Sequence, residues 1–122
     1  MAEPLVSIIM NCLDGEKYLK RAIDSIYCQT YSNWEIIFLD NCSIDSSSLI
    51  AKSYDDKIKI FSLDKTIELG DARNLAIKKA NGEFLAFLDV DDQWLPNKIK
   101  LQVNLFNNRD VGMVFSDTKV ID

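Results

Sequence analysis

The chain has 122 residues, 48% hydrophobic and 27% charged, with a formal net charge of −5 and no histidine. That length bounds a single domain, residues 1–122, with a radius of gyration of about 14 Å, and the composition is that of an ordinary soluble globular protein. The acidic balance excludes a nucleic-acid footprint, which needs a basic patch. No apolar run approaches the ~20 residues of a membrane span, and the lack of histidine removes imidazole ligands and every triad built on a histidine base.

The N-terminus, Met1-Ala2-Glu3-Pro4, carries an acid and no basic segment, so it does not read as a secretory signal. Residues 5–10 (Leu-Val-Ser-Ile-Ile-Met) form a short β-rich run ending at polar Asn11, which predicts a buried strand. From Glu16 the period changes: Leu19, Ala22, Ile23, Ile26 and Tyr27 recur on one helical face. Residues 34–39 are strand again, closing on Asp40-Asn41-Cys42-Ser43, with Ser43 and Asp45 as candidate N-caps of a short helix running to about Tyr54. A third strand is expected over 58–63. A helix follows over 71–81, with Gly82 in the C′ position.

The fourth strand, residues 84–88, reads as buried and runs straight into Asp89-Val90-Asp91-Asp92. On an extended strand Asp89 and Asp91 would project to the same face. Two carboxylates about 5 Å apart repel by roughly 3 kcal/mol at an effective dielectric near 20, so such a pair calls for a proton, a cation or open water. Two readings stand side by side: an oxygen-only site for Mg²⁺ or Mn²⁺, and a solvated acidic loop that opens the next helix. Pro96 favours a helix after it, with Trp94 anchoring that helix to the sheet, and residues 111–115 resemble a fifth strand. Cys12, Cys28 and Cys42 are odd in number and lack CxxC spacing, which suits reduced thiols in a cytoplasmic setting.

Alternating strands and helices predict an α/β fold: a mostly parallel, Rossmann-like sheet with right-handed crossovers and helices on both faces. Ligands of such sheets sit at the carboxyl ends of the strands. Here those ends carry Asn11-Cys12-Leu13-Asp14, Asp40-Asn41 and the acidic run, so polar groups gather on one rim.

These segments resemble the start of a family 2 glycosyltransferase. The resemblance rests on Val6-Ser7-Ile8-Ile9-Met10, on Gln29-Thr30-Tyr31, and on Trp34-Glu35-Ile36-Ile37 leading into Asp40-Asn41-Cys42-Ser43-Ile44-Asp45. It rests equally on Gly70-Asp71-Ala72-Arg73-Asn74 and on Gly82-Glu83-Phe84 running into Leu88-Asp89-Val90-Asp91-Asp92. It covers nearly the whole chain in order. It implies a GT-A fold, a nucleotide-diphosphate-sugar donor (a UDP-sugar favoured) and inverting transfer to an acceptor hydroxyl, the acceptor being a saccharide or a lipid-linked sugar.

By the same resemblance, Asp89-Val90-Asp91 matches the DXD motif. Asp91 would bind Mn²⁺ or Mg²⁺, and Asp89 would hold the ribose or the metal shell. Asp40 or Asn41 would read the base, Arg73 would lie near the nucleotide, and Asn11 and Leu13 would border the base. Leu13-Asp14 stands where the family usually has Tyr-Asn, so aromatic stacking on the base is lost. Asn41 replaces a frequent second aspartate.

The acceptor half and the acidic catalytic base are expected beyond residue 122, in a parent enzyme free to associate with the inner face of a membrane. This chain would then bind donor without turning over, and pair as a homodimer through apolar surface beside residues 111–115. Two rivals come from other classes: a non-catalytic nucleotide-binding or assembly module, and a phosphoacceptor receiver domain. The receiver would need paired acids just after the first strand, where Asn11-Cys12 stands.

Overall fold

A computed structural model of the chain describes residues 3–107 and 111–114. Strands and helices alternate: β1 (Val6–Cys12), α1 (Glu16–Tyr27), β2 (Trp34–Asp40), α2 (Ser47–Lys52), β3 (Ile58–Ser62), α3 (Leu69–Lys78), β4 (Phe84–Phe87) and α4 (Lys98–Leu105). The four strands form one sheet in the order β3-β2-β1-β4. Every pairing is parallel, with Val6 opposite Trp34 and Phe84, and Ile36 opposite Ile58.

The central strands β1 and β2 are covered on both faces, which is why they read as unbroken apolar runs. Alternation sends Val6, Ile8, Met10, Ile36 and Phe38 to one face, where they pack against Leu19, Ala22, Ile23 and Ile26 of α1, Ala51 of α2 and Ile99 of α4. Ile9, Ile37 and Leu39 point the other way, onto Ala72 and Ala76 of α3. Helices on both faces are therefore realised, three on one side and α3 on the other. Each fully buried Ile or Leu of α1 contributes about 1.5–3 kcal/mol, so this one amphipathic stripe supplies much of the larger layer. Trp94 packs against that same layer.

Several details differ from the sequence expectation. Among the described residues the fourth strand lies at the edge of the sheet and is only half buried: Leu85 and Phe87 are 44% and 51% exposed. α3 packs over β1 and β2, and its layer does not include these two side chains. β4 also stops at Phe87, so the acids occupy a turn beyond the strand, closed by Asp92 N–H donating to the Asp89 carbonyl at 3.0 Å.

The helix expected over 71–81 runs from Leu69 to Lys78 and is capped by Lys79, so Gly82 is not its C′ residue. Gly82 is needed for close approach instead. A β-carbon there would lie 2.6 Å from the Ser7 amide nitrogen and 2.7 Å from the Leu5 carbonyl oxygen. The proposed fifth strand is absent over residues 111–114, which form neither helix nor strand, while residue 115 lies outside the described residues.

Ser43 and Asp45 do not cap the next helix from its N-cap position either. α2 begins at Ser47, and its N-cap Ser46 makes no side-chain cap. The two acidic-polar loops cap each other's helices. Gly15 N–H donates to Ser47 Oγ at 2.9 Å and Glu16 N–H to Asp45 Oδ2 at 3.1 Å, closing the start of α1. In return Ile44 N–H donates to Asp14 Oδ1 and Ser46 N–H to Glu16 Oε2, at 2.8 and 2.9 Å.

Candidate active site at the carboxyl rim

The strand order runs outward from β1 through β2 to β3, and β4 lies on the opposite side of β1. The chain therefore reverses direction between β1 and β4, and the crevice outside their carboxyl ends is where a parallel sheet of this kind takes its ligand. Loops after β1, β2 and β4 border it.

The β1 and β2 loops are held together at their bases by the Asn41 N–H on the Cys12 carbonyl, at 2.8 Å. They also contain the two positive-φ residues among the described non-glycines, Asp14 at φ 52° and Cys42 at φ 64°. Left-handed backbone outside glycine costs of order 1–2 kcal/mol and gathers where a loop is built for a task. Both residues sit at this rim.

The acidic turn forms the third side. Asp89, Asp91 and Asp92 are all exposed, and one carboxylate oxygen from each lies within 4.8 Å of the others. On an octahedral cation with 2.1 Å bonds, neighbouring oxygens are roughly 3.0 Å apart and opposite ones roughly 4.2 Å, so the three exposed side chains would close inward to hold Mg²⁺ or Mn²⁺. The all-oxygen donor set suits those hard cations. Burial, together with the charges of Asp91 and Asp89, pushes the Asp92 carboxyl above its ordinary range. Asp92 thus joins the two acids named from the sequence. The run of adjacent aspartates was its signal, but strand alternation had pointed it away from the other two.

Arg73, on α3, faces this cluster with its guanidinium 3.8 Å from Asp89 Oδ1. Both side chains are exposed, and such a pair is worth under about 1 kcal/mol. The arginine is therefore readily available to an anion placed between them. The start of α1 is not, because Ser47 and Asp45 already accept its Gly15 and Glu16 amides. The helix N-terminus that cradles phosphate in many folds of this type is occupied here by the protein itself.

The remaining residues named from the sequence fall on the same rim in different states. Asp40 is buried, and its Oδ1 accepts the Ser43 amide at 3.0 Å. Asn41 is buried and committed: Nδ2 donates to the Ile67 carbonyl and Oδ1 accepts the Ile67 amide, both at 2.9 Å. Its amide clamps the loop before α3, with one bond from each end. Leu13 is exposed in the β1–α1 loop.

Asn11 points to the α3 face of β1, two residues beyond Ile9. Its Oδ1 is the buried side-chain atom without a hydrogen-bond partner among the described residues. An orphaned buried acceptor costs about 1–3 kcal/mol unless something donates to it.

Sequence reasoning assigned no role to Gly15 or to Gln29. A β-carbon on Gly15 would lie 2.8 Å from Val90 Cγ2, so this glycine lets the acidic turn close over the β1 loop. Gln29 ties the segment after the turn to α1. Away from the rim, a hollow of about 380 Å³ lined by Tyr31, Phe84, Val103 and Phe106 opens at the amino end of the sheet.

A parallel sheet in this order, with helices on both faces, is the α/β architecture of GT-A glycosyltransferases. The chain belongs to glycosyl transferase family 2, whose model matches residues 7–122. That membership displaces the receiver-domain reading.

It is 33% identical over its whole length to the Escherichia coli UDP-Glc:alpha-D-GlcNAc-diphosphoundecaprenol beta-1,3-glucosyltransferase WfgD, covering 49% of that protein. Among solved structures it is similar to Staphylococcus aureus TarS 1-349 in complex with UDP, with TM-score 0.81 and 28% identity over 86% of this chain and 32% of that one. The fold also matches the mannosyltransferase PcManGT of Pyrobaculum calidifontis in complex with GDP-Man and Mn²⁺, with TM-score 0.72 and 23% identity over 82% of this chain and 31% of that one. The chain spans less than half the length of these proteins. Among the described residues no helix is long and apolar enough to cross a membrane.

Proposed function

We propose that this chain is the donor-binding part of a metal-dependent, inverting glycosyltransferase that takes a nucleoside-diphosphate sugar, with UDP as the favoured nucleotide. The observation that carries this reading is the convergence of Asp89, Asp91 and Asp92 opposite Arg73, at the crevice between β1 and β4. Three carboxylates alone repel a diphosphate. With a cation between them they attract one, and Arg73 adds a second positive group on the other side.

In this reading Asp91 and Asp92, with Asp89, hold Mn²⁺ or Mg²⁺, and Asp89 also borders the ribose. When bound, the cation supplies positive charge that stabilises the departing diphosphate. Asp40 accepts from the N–H of the base, and the unpaired Asn11 Oδ1 offers a second acceptor. Leu13 covers the ring by apolar contact. Asn41 supports them by holding the neighbouring loop. In the transfer, the acceptor hydroxyl oxygen bonds to the anomeric carbon while the bond to the diphosphate oxygen breaks. The electron pair leaves with the diphosphate, and the hydroxyl proton passes to a base. The acceptor is a saccharide or lipid-linked sugar. The UDP-Glc in the name of the E. coli relative and the UDP held by the TarS structure support the choice of nucleotide.

The test is titration calorimetry of UDP with and without Mn²⁺. Binding that needs both components is expected. UDP affinity that ignores Mn²⁺ would remove the metal from this reading, and no binding of any nucleoside diphosphate would remove the reading itself.

A further inference from the structure

The acidic turn is a short span between two fixed feet. Its near foot is the end of β4, where Leu88 N–H donates to the Ile9 carbonyl at 3.1 Å. Its far foot is the stretch from Trp94 to Ile99, and the group that holds it is the C-terminal end of α1. Ser25 Oγ accepts the Trp94 amide at 3.1 Å. Gln29 Nε2 donates to the Leu95 carbonyl at 2.7 Å, and Gln29 Oε1 accepts the Ile99 amide at 3.1 Å. The Thr30 amide donates to the Pro96 carbonyl at 2.9 Å.

Gln29 is a polar side chain only 8% exposed, and its remaining donor goes to the Ser25 carbonyl at 3.1 Å. Two of its three hydrogen bonds thus reach across to the segment that follows the acids. A buried amide with every group used is a rigid strut.

Between the feet stand three like charges with oxygens within 4.8 Å. Their repulsion acts to open the turn, and the feet oppose it. Removing the far foot would let Asp91 and Asp92 drift from Asp89 without touching any acid. Groups that orient the residues around a metal act in this way, and their loss typically costs about 10–100-fold in metal affinity.

We infer that Gln29, with Ser25 beside it, is a positioning residue for the cation site: the end of α1 sets the spacing of the three carboxylates through the segment that follows them. This rests on the donor-binding reading above.

The test measures Mn²⁺ binding in the presence of UDP, from the free-Mn²⁺ electron paramagnetic resonance signal, on the whole chain. Four proteins are compared: wild type, Gln29→Leu, Ser25→Ala and Glu35→Gln. The last lowers stability at the opposite end of the sheet and controls for destabilisation alone. Gln29→Leu should weaken Mn²⁺ by about tenfold or more and Ser25→Ala by less, with Glu35→Gln unchanged despite a lower melting temperature. If Gln29→Leu does not fold, Ser25→Ala decides by the same criterion. Unchanged affinity in the two α1 variants, or a loss that follows melting temperature across all four, overturns the inference. Failure of the wild type to bind Mn²⁺ with UDP is visible before any substitution and removes the metal from the donor-binding reading, and this inference with it.

Discussion

Gly15 and Val90 meet so closely that a single added methyl on Gly15 would sit 2.8 Å from Val90 Cγ2 and 3.2 Å from Cys12 Sγ. The first residue precedes α1 and the second is the middle of the acidic turn, so the contact sets how near the β4 loop comes to the β1 loop. Gly15→Ala must push Val90 outward, because its other neighbour is the buried Cys12. Overpacking of this kind costs about 1–3 kcal/mol. A lower melting temperature is expected, together with weaker Mn²⁺-dependent UDP binding. Wild-type nucleotide binding in a fully folded Gly15→Ala protein would show that the turn's position is set elsewhere.

Asp91→Asn keeps the shape of the side chain and removes its charge. Because Asp91 is exposed, stability should stay within about 0.5 kcal/mol, or rise slightly as repulsion falls. Calorimetry should show Mn²⁺-dependent UDP binding lost. Retained dependence on Mn²⁺ in this variant would exclude Asp91 as a ligand.

Asp40 and Asn41 should separate by what they affect. Asp40→Ala is expected to weaken UDP by about 1–3 kcal/mol, the range for a lost charged hydrogen bond, with much less effect on inorganic pyrophosphate. Asn41→Ala removes two hydrogen bonds to Ile67, so its main effect should be on melting temperature. Equal losses for UDP and pyrophosphate in Asp40→Ala would deny it the base.

Glu35 makes stability depend on acid. It is 3% exposed and accepts from Ser7 Oγ at 2.6 Å, Lys59 Nζ at 2.8 Å and the Asn81 amide at 2.8 Å. Burial alone would raise its carboxyl, but the hydrogen bonds from Lys59, Ser7 and Asn81 outweigh burial and hold the pKa down to about 2 from an ordinary 4.5. A depressed folded pKa contributes stability that is present above 4.5 and lost as pH falls toward 2. That contribution is on the order of 3 kcal/mol. Thermal melts of the wild type from pH 6 to pH 2 should therefore fall more steeply below pH 4.5 than those of Glu35→Gln. Parallel curves would mean that the carboxylate carries no linkage.

Cys42 holds φ 64° with a β-carbon. Glycine adopts that backbone without the steric cost, and the cysteine's own bond, Sγ to the Asp64 carbonyl at 3.5 Å, is weak. Cys42→Gly should leave stability unchanged or raise it by up to about 1 kcal/mol, read as melting temperature. A clear loss would assign the thiol a packing role that outweighs its strain.

What the sequence alone determined is the part governed by short-range periodicity. Unbroken apolar runs at β1 and β2 announced strands covered on both faces, and the stripe from Leu19 to Ile26 announced the helix that covers one of them. Alternation of the two patterns was enough for a parallel sheet, and the acidic run after Phe87 was enough to locate the rim. These features are local because the side chains that reveal them lie within two or three turns of one another.

The tertiary structure decided whatever depends on partners far along the chain. Asp45 looks like the cap of its own helix, yet half its carboxylate serves Glu16, 29 residues earlier. Gln29 enters the sequence reading only as part of Gln29-Thr30-Tyr31, and what it holds is not visible there, because its partners Leu95 and Ile99 are 66 and 70 residues away. Gly82 resembles a helix terminator and is instead the one residue small enough to pass the Ser7 backbone. The three aspartates converge because β4 ends early and the chain turns back on itself, which strand alternation cannot express. Local pattern chooses the elements; close packing between distant segments chooses which polar groups are spent on the fold and which remain free for a ligand.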